Sequence, residues 1–377
     1  MVGHRCIAAK YHNHCGVFWV LNRVWFVKKF QTAHLVLNTN HYHLYANSTI
    51  LKPLFHSIHL TTMNQKSLLS SACLSAALLF SPALIAQTLT WQGQSLELQH
   101  TPRNIAVYEL SALDTLQALG VSASIVPDAV FPATLASYNQ GKATKAGSLF
   151  EPDVAVLSAQ KPDLIIVGGR SKAKLDTVKD LAPTLDLSPN TDHYMADLQA
   201  RTELLANTFG KQAAAAKRMR TIEIKQAKLK AQTQGKTALM LFTNKGNFMP
   251  HAAGERFGFV YDFAGFKSVL PVVPPKDENA PAQPRPEAGS LAAEAAKVKA
   301  AERLQAAVNQ QPHYLIVLDR GAVNTNEYTA AAEMQKNAIL KQAKGKVIMV
   351  DANAWYLTGA GLANTELMLD ELIKATQ

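Results

Sequence analysis

The sequence predicts an α/β fold: two α/β lobes joined by one long α-helix. Three observations carry this. Short apolar runs of strand length alternate with segments of helical period over residues 104–190, and the same alternation returns after residue 235. Between them, residues 195–234 carry no strand signal. Strands separated by helices pair in parallel, so each alternating region builds one sheet.

In order, residues 104–109 (NIAVYE) read as a strand, followed by a helical pattern to Leu119 that stops at Gly120. Residues 163–167 (DLIIV) form a buried parallel-type strand ending in Gly168-Gly169, and residues 171–181 are again helical. Residues 198–209 form an amphipathic helix closed by Gly210. Residues 211–234 form the long helix, about 36 Å at 1.5 Å per residue. Its seven basic residues against the lone Glu223 read as a solvated face rather than a nucleic-acid surface. Residues 237–242, 314–318 and 347–350 are strands, and residues 330–344 and 362–375 are helices. Residues 271–289 hold six prolines and read as an irregular loop.

Composition is uneven along the chain of 377 residues. Residues 1–86 contain no Asp or Glu and seven Lys or Arg, so residues 87–377 carry 31 basic against 28 acidic side chains. Most of the formal charge of +10 therefore lies outside the main body, and a role as a cationic nucleic-acid or membrane-surface binder loses its basis. Cys6, Cys15 and Cys73 all precede residue 87, which excludes a disulfide, a zinc-thiolate site or a catalytic cysteine from the body. Only His100, His193, His251 and His313 remain there, too scattered in sequence for a clustered multi-His metal site.

Residues 63–86 have the form of a cleavable secretory signal peptide. Lys66 gives a positive start, residues 68–80 an apolar run, and residues 82–86 (PALIA) lead to a cut before Gln87. A signal peptide works at an N-terminus, so Met63 reads as the true start and residues 1–62 as a mistranslated, disordered upstream extension. The expected organisation is an N-terminal lobe over 87–210, the connecting helix over 211–234 and a C-terminal lobe over 235–377.

Three arginines stand where ligands belong in open α/β sheets, beyond the carboxyl ends of strands or in an adjoining loop. Arg170 follows a buried strand and two glycines; a surface turn is its alternative. Arg320 repeats the arrangement after residues 314–319, with a local Asp319–Arg320 pair as its alternative. Arg256 sits in a glycine-flanked loop, where it could equally brace that loop. Facing one cleft, the three would repel each other unless an anion lay between them. At 4 Å an opposite-charge pair gains about 4 kcal/mol at an effective dielectric near 20, enough for a multivalent anion to offset the repulsion. Tyr356 offers a phenol, or else a core tyrosine; Trp355 beside it reads as packing. His251 reads as a loop histidine with a satisfied ring.

Five blocks occur in a telling order: 103–120 (RNIAVYELSALDTLQALG), 149–153 (LFEPD) with 161–170 (KPDLIIVGGR), 254–262 (GERFGFVYD), 314–320 (YLIVLDR) and 351–359 (DANAWYLTG). Over residues 101–375 the chain resembles the periplasmic ferric-siderophore binding proteins of ABC importers, most of all the catecholate-binding group. The resemblance implies two three-layer α/β lobes of the helical-backbone (class III) type. It implies that Arg170, Arg256 and Arg320 form a basic ligand-binding triad, helped by Lys172 or Lys174, and that Tyr356 faces the cleft as a possible iron ligand. It also implies permease docking through acidic residues, for which Glu151 stands in because the usual position falls near Ala155. The catecholate group carries a His before the helix that leads into the strand at 314–318, and this chain has none between His251 and His313. That departure favours a ferric complex whose coordination is already complete over direct His–Tyr ligation.

The expected protein is thus a monomeric, non-enzymatic periplasmic receptor for an anionic ferric siderophore, with no permanent cofactor and an ABC permease as partner. A haem or cobalamin carrier of the same fold is the nearer alternative. A periplasmic enzyme is the other, against which stand the lack of a Gly-x-Ser-x-Gly elbow, of any body cysteine and of a phosphate-cradling glycine loop.

Overall fold

Two five-stranded sheets organise the chain from Gln87 onward. The computed structural model describes residues 87–274, 287 and 289–377. The expected signal peptide, the upstream extension and residues 275–286 and 288 of the proline-rich stretch lie outside the described residues.

A hairpin comes first, β1 (Gln87–Trp91) against β2 (Gln94–Leu98). Gln92 and Gly93 turn it with φ of 46° and 80°. Positive φ at both central residues is the tight turn whose twist matches that of the strands. The first sheet has the order β5-β4-β3-β6-β7, from β3 (Ile105–Val107), β4 (Ile125–Val126), β5 (Thr144–Lys145), β6 (Leu164–Val167) and β7 (Thr184–Asp186), all parallel. The second has the order β10-β8-β11-β12, from β8 (Thr237–Asn244), β10 (Lys267–Ser268), β11 (Tyr314–Asp319) and β12 (Lys346–Met349), again parallel. β9 (Asn247–His251) folds back antiparallel on β8 through Lys245 and Gly246, both at positive φ.

Strand periodicity sorts the core. Ile105, Val107, Leu164 and Ile166 point to one cluster, and Ala106, Tyr108, Ile165 and Val167 point to another on the opposite face. In the second sheet Met240, Ile316 and Leu318 join the first of these clusters, while Leu239, Leu241, Leu315 and Val317 face a third. One apolar core is therefore shared by a face of each sheet, and each sheet has a second buried face of its own. Burial on both faces explains why these strands read as unbroken apolar runs.

Helices cover those faces. α1 (Leu110–Ala118) follows β3, α2 (Val154–Gln160) precedes β6, and the short α3 (Leu175–Val178) precedes β7. α4 (Tyr194–Phe209) ends at Gly210, which takes the left-handed conformation that closes a helix. α5 (Gln212–Thr233) is the expected long helix and lies in the chain between the two sheets. It buries Ala215, Met219, Ile222, Leu229 and Thr233 on one face. Its basic face is only partly solvated: Arg218 pairs with Glu366 at 3.0 Å and Lys225 with Asp370 at 2.6 Å. α6 (Phe259–Ala264), α7 (Leu291–Asn309), α8 (Ala330–Lys336) and α9 (Leu362–Ala375) complete the second half.

α9 packs on both α5 and α1, so the last of the described helices leans on the first of them. Its opening amides are taken by α1: Leu362 N donates to Thr115 Oγ1 at 3.1 Å and Asn364 N to Asp114 Oδ2 at 3.0 Å. A Cβ at Gly361 would come within 2.5 Å of Asp114, so only glycine admits this approach.

Two expected helices are shorter than their patterns. Residues 171–181 yield a single tight turn and the four residues of α3, because the chain must enter β7 through Pro183. Residues 330–344 yield α8 and a separate turn at Leu340–Gln342. The break is Asn337, whose Oδ1 accepts from Ile339 N and Leu340 N at 3.0 Å each and competes with the helical ladder.

Candidate functional site

The strand ends deliver the three arginines to one place. β6 runs into Gly168-Gly169, with Gly169 at φ 40°, and the turn presents Arg170. β11 ends at Asp319, a buried carboxylate that accepts from Gly321 N at 2.9 Å and from Thr329 N and Ala330 N at 2.8 Å each. Asp319 is thus occupied in shaping the turn that starts at Arg320, and the guanidinium is free to point elsewhere. Arg256 follows β9 in a loop held by Glu255, whose Oε2 accepts from Ala252 N at 2.6 Å. Arg303 of α7 clamps the same carboxylate through both its terminal nitrogens, at 2.9 and 2.7 Å. A Cβ at Gly258 would sit 1.9 Å from Ala252 O, so the loop needs that glycine to close.

Tyr356 lies beyond β12 in a widened π-type turn, Ala354–Thr358. Such turns free carbonyls from the helical ladder and recur at functional sites. Here Asn364 Nδ2 ties the turn down, donating to Ala354 O at 2.9 Å and to Gly359 O at 2.7 Å. Arg170 donates across from the first sheet to Tyr356 O at 2.8 Å and to Leu357 O at 3.3 Å.

All three guanidinium groups surround the Tyr356 ring. Their central carbons lie 4.5 Å (Arg320), 4.9 Å (Arg256) and 5.7 Å (Arg170) from its centroid. Arg256 also lies 4.9 Å from the Phe257 ring. Phe257 stacks on Phe242 at 5.2 Å, and Phe242 on Tyr356 at 6.0 Å, so an aromatic wall backs the cations. Ring faces carry negative potential and draw the cations in, each contact contributing about 0.5–2 kcal/mol.

The charges act on one another. Burial opposes ionisation of Tyr356, but the neighbouring guanidinium groups of Arg320 and Arg256 outweigh it, so the phenol ionises below its usual range. Burial lowers the Arg170 pKa, and Arg256 and Arg320 lower it further, while Glu109 and Tyr356 pull the other way. Tyr356 is the one described tyrosine whose shift is downward: burial raises Tyr138, Tyr261 and Tyr328 as well as Tyr108 and Tyr194. The arrangement is a positive pocket with a hard oxygen at its centre.

Sequence reasoning had joined Arg170, Arg256, Arg320 and Tyr356, and the structure brings these four together. Trp355 is buried at 2% exposure, stacks on Phe259 and donates to Glu371 Oε2 at 2.8 Å, so it packs as expected. The remaining assignments sit differently. Lys172 pairs with Asp186 at 3.3 Å and Lys174 with the exposed Glu151 at 2.8 Å, surface pairs that add little and leave these side chains open to other partners. His251 was expected to be satisfied, yet its Nδ1 is buried without a hydrogen-bond partner, edge-on to the Phe257 ring at 5.2 Å. Burial lowers its pKa and keeps it neutral among aromatic neighbours. Sequence reasoning missed the Glu255–Arg303 clamp, which joins positions 48 residues apart, and Glu109, whose only signal was its place just before a helix.

A family model for the periplasmic binding proteins (Peripla_BP_2) matches residues 105–345. The chain belongs to this family. Among curated relatives, the petrobactin-binding protein YclQ of Bacillus subtilis is 27% identical over 279 residues, covering 72% of this chain and 81% of the relative. The ferric-anguibactin-binding protein FatB of Vibrio anguillarum is 28% identical over 310 residues, covering 79% of this chain and 88% of the relative. Among solved structures, the catecholate-siderophore binding protein VctP of Vibrio cholerae superposes with a TM-score of 0.62 at 25% identity, covering 76% of this chain and 99% of that one. The siderophore-binding protein BauB, solved with two acinetobactin molecules and ferric iron, gives a TM-score of 0.65 at 23% identity, covering 78% and 99%, a likeness of fold.

Proposed function

We propose that this protein is a solute-binding component of an ABC importer that captures an anionic ferric siderophore of the catecholate class between its two lobes. One observation carries the reading: Arg170, Arg256 and Arg320, from widely separated segments, converge on the ring of Tyr356. Like charges gathered in this way repel one another and favour an incoming anion, and a ferric tris-catecholate is a compact trianion rimmed with acceptor oxygens for guanidinium forks. Relatives named for binding petrobactin, ferric anguibactin and a catecholate siderophore, each matched over most of its length, support this reading. Haem and cobalamin, larger and less charged, fit the pocket's charge less well. The protein binds and releases its cargo without turnover.

Tyr356 is the one hard oxygen donor in the cluster and is poised to meet Fe(III) directly where a siderophore leaves coordination sites open. Export through the signal sequence at residues 63–86 would bring the mature protein to the periplasm, where an inner-membrane permease receives the cargo.

Titration of the purified protein with ferric tris-catecholate, ferric hydroxamate and haem, followed by tryptophan fluorescence, tests the proposal. Quenching by the catecholate complex at sub-micromolar concentration is expected, with the neutral hydroxamate roughly tenfold weaker, about 1.4 kcal/mol. Equal response to all three would defeat charge-based capture.

A further inference from the structure

Behind Arg170 lies a carboxylate that the ligand reading leaves unused. Glu109 is 4% exposed, at the junction of β3 and α1. Its Oε1 accepts from Ser111 N at 3.1 Å and Ser111 Oγ at 2.8 Å, which caps α1. Its Oε2 is turned to the strand end that presents Arg170: a Cβ on either Gly168 or Gly169 would come within 2.9 Å of it. The two glycines are thus required by this approach. Capping alone is served by the shorter Ser, Thr, Asp or Asn; the longer Glu reaches the turn as well.

The other nearby cation is already committed. Arg201 of α4, 1% exposed, donates to Asp197 Oδ2 at 2.7 Å, Ala360 O at 2.7 Å and Ser111 Oγ at 3.3 Å. Asp197 pairs with it, and of the two cations Arg170 acts more strongly on Glu109. We infer that Glu109 is a specificity-determining residue, a buried counter-charge beside the strand end that carries Arg170, which limits how tightly the cleft grips a polyanion. This rests on the reading of the site as an anion receptor.

The physics is a differential effect. In the empty protein the carboxylate offsets repulsion among three guanidinium groups. Once a polyanion enters, the same carboxylate repels it. A group that favours the empty state and opposes the filled one lowers affinity and speeds release. Its influence scales with ligand charge and vanishes for a neutral ligand. Burial raises the Glu109 pKa, opposed by the Ser111 hydrogen bonds and by the charges of Arg170 and Arg201. The carboxyl therefore keeps its proton to higher pH than usual, and the counter-charge strengthens as pH rises.

Glu109→Gln keeps an acceptor for Ser111 and removes the charge. At pH 8, in the full chain, it is expected to bind ferric tris-catecholate about fivefold more tightly while leaving a neutral ferric hydroxamate unchanged. Without any ligand, it should also make Tyr356 ionise at lower pH, read as tyrosinate absorbance. Glu109→Asp keeps the charge and should preserve the wild-type ratio between the two complexes even if it loosens the cap. Equal weakening for both complexes in Glu109→Gln, or no change in either, would reduce Glu109 to a helix cap and overturn the inference. Failure of the wild type to bind either complex would sink the ligand reading, while the ligand-free shift of Tyr356 would still uphold the counter-charge.

Discussion

Replacing Arg320 with glutamine probes the centre of the site. Arg320 approaches the Tyr356 ring more closely than its two companions, at 4.5 Å, and its guanidinium does most to keep the phenol acidic. Its backbone is held independently, because Asp319 bonds to Gly321, Thr329 and Ala330 rather than to the guanidinium. The fold should therefore survive the change. A charge-assisted hydrogen bond contributes about 1.5–3 kcal/mol, which corresponds to roughly 10- to 150-fold in affinity for a trianionic ferric complex. The ligand-free protein gives a second reading. The other described tyrosines with altered titration all ionise later than usual, so the earliest tyrosinate absorbance belongs to Tyr356. Arg320→Gln should move that first step to higher pH. An unchanged first step together with unchanged affinity would refute the convergence of charges on this ring.

Two further outcomes concern stability. Arg201 is buried against Asp197, so Arg201→Met strands a carboxylate inside the first lobe and should cost about 3–5 kcal/mol in urea unfolding; the loss should shrink when Asp197→Leu is added, and a simple sum of the two effects would contradict the pairing. Burial, with a contribution from Asp351, raises Glu371 from 4.5 to about 7. A group that holds its proton more tightly when folded contributes its full stability below about pH 4.5 and loses it as pH climbs through 7, by up to about 3 kcal/mol at 1.36 kcal/mol per unit. Melting temperatures measured at pH 5 and 8 should fall with pH in the wild type and flatten in Glu371→Gln; parallel profiles would count against the assignment.

Much of this was legible in the linear chain. Strands buried on both faces announce themselves as apolar runs, so 163–167, 237–242 and 314–318 were found within a residue or two of their observed ends. The helix at Leu362–Ala375 was read to the residue, because a glycine precedes it and its apolar period is regular. Two-residue strands such as Ile125–Val126 and Thr144–Lys145 leave no periodicity to read. The hairpin of Asn247–His251 was hidden by a turn of Lys245 and Gly246 and by Pro250 within the strand. At the site, strand-end arginines are local signals and were found. The clamp of Arg303 on Glu255 and the approach of Glu109 to Gly168 depend on tertiary contacts that sequence spacing does not encode.

Asp114 and Thr115 hold the first amides of a helix that begins nearly 250 residues later. Chain order and spatial order therefore disagree: the opening lobe is finished only by the closing residues. A ribosome cannot release a completed N-terminal half, and severing the chain near Gly235 would leave Leu110, Leu113 and Leu116 without the partner that shields them. Such a fold must assemble as one piece.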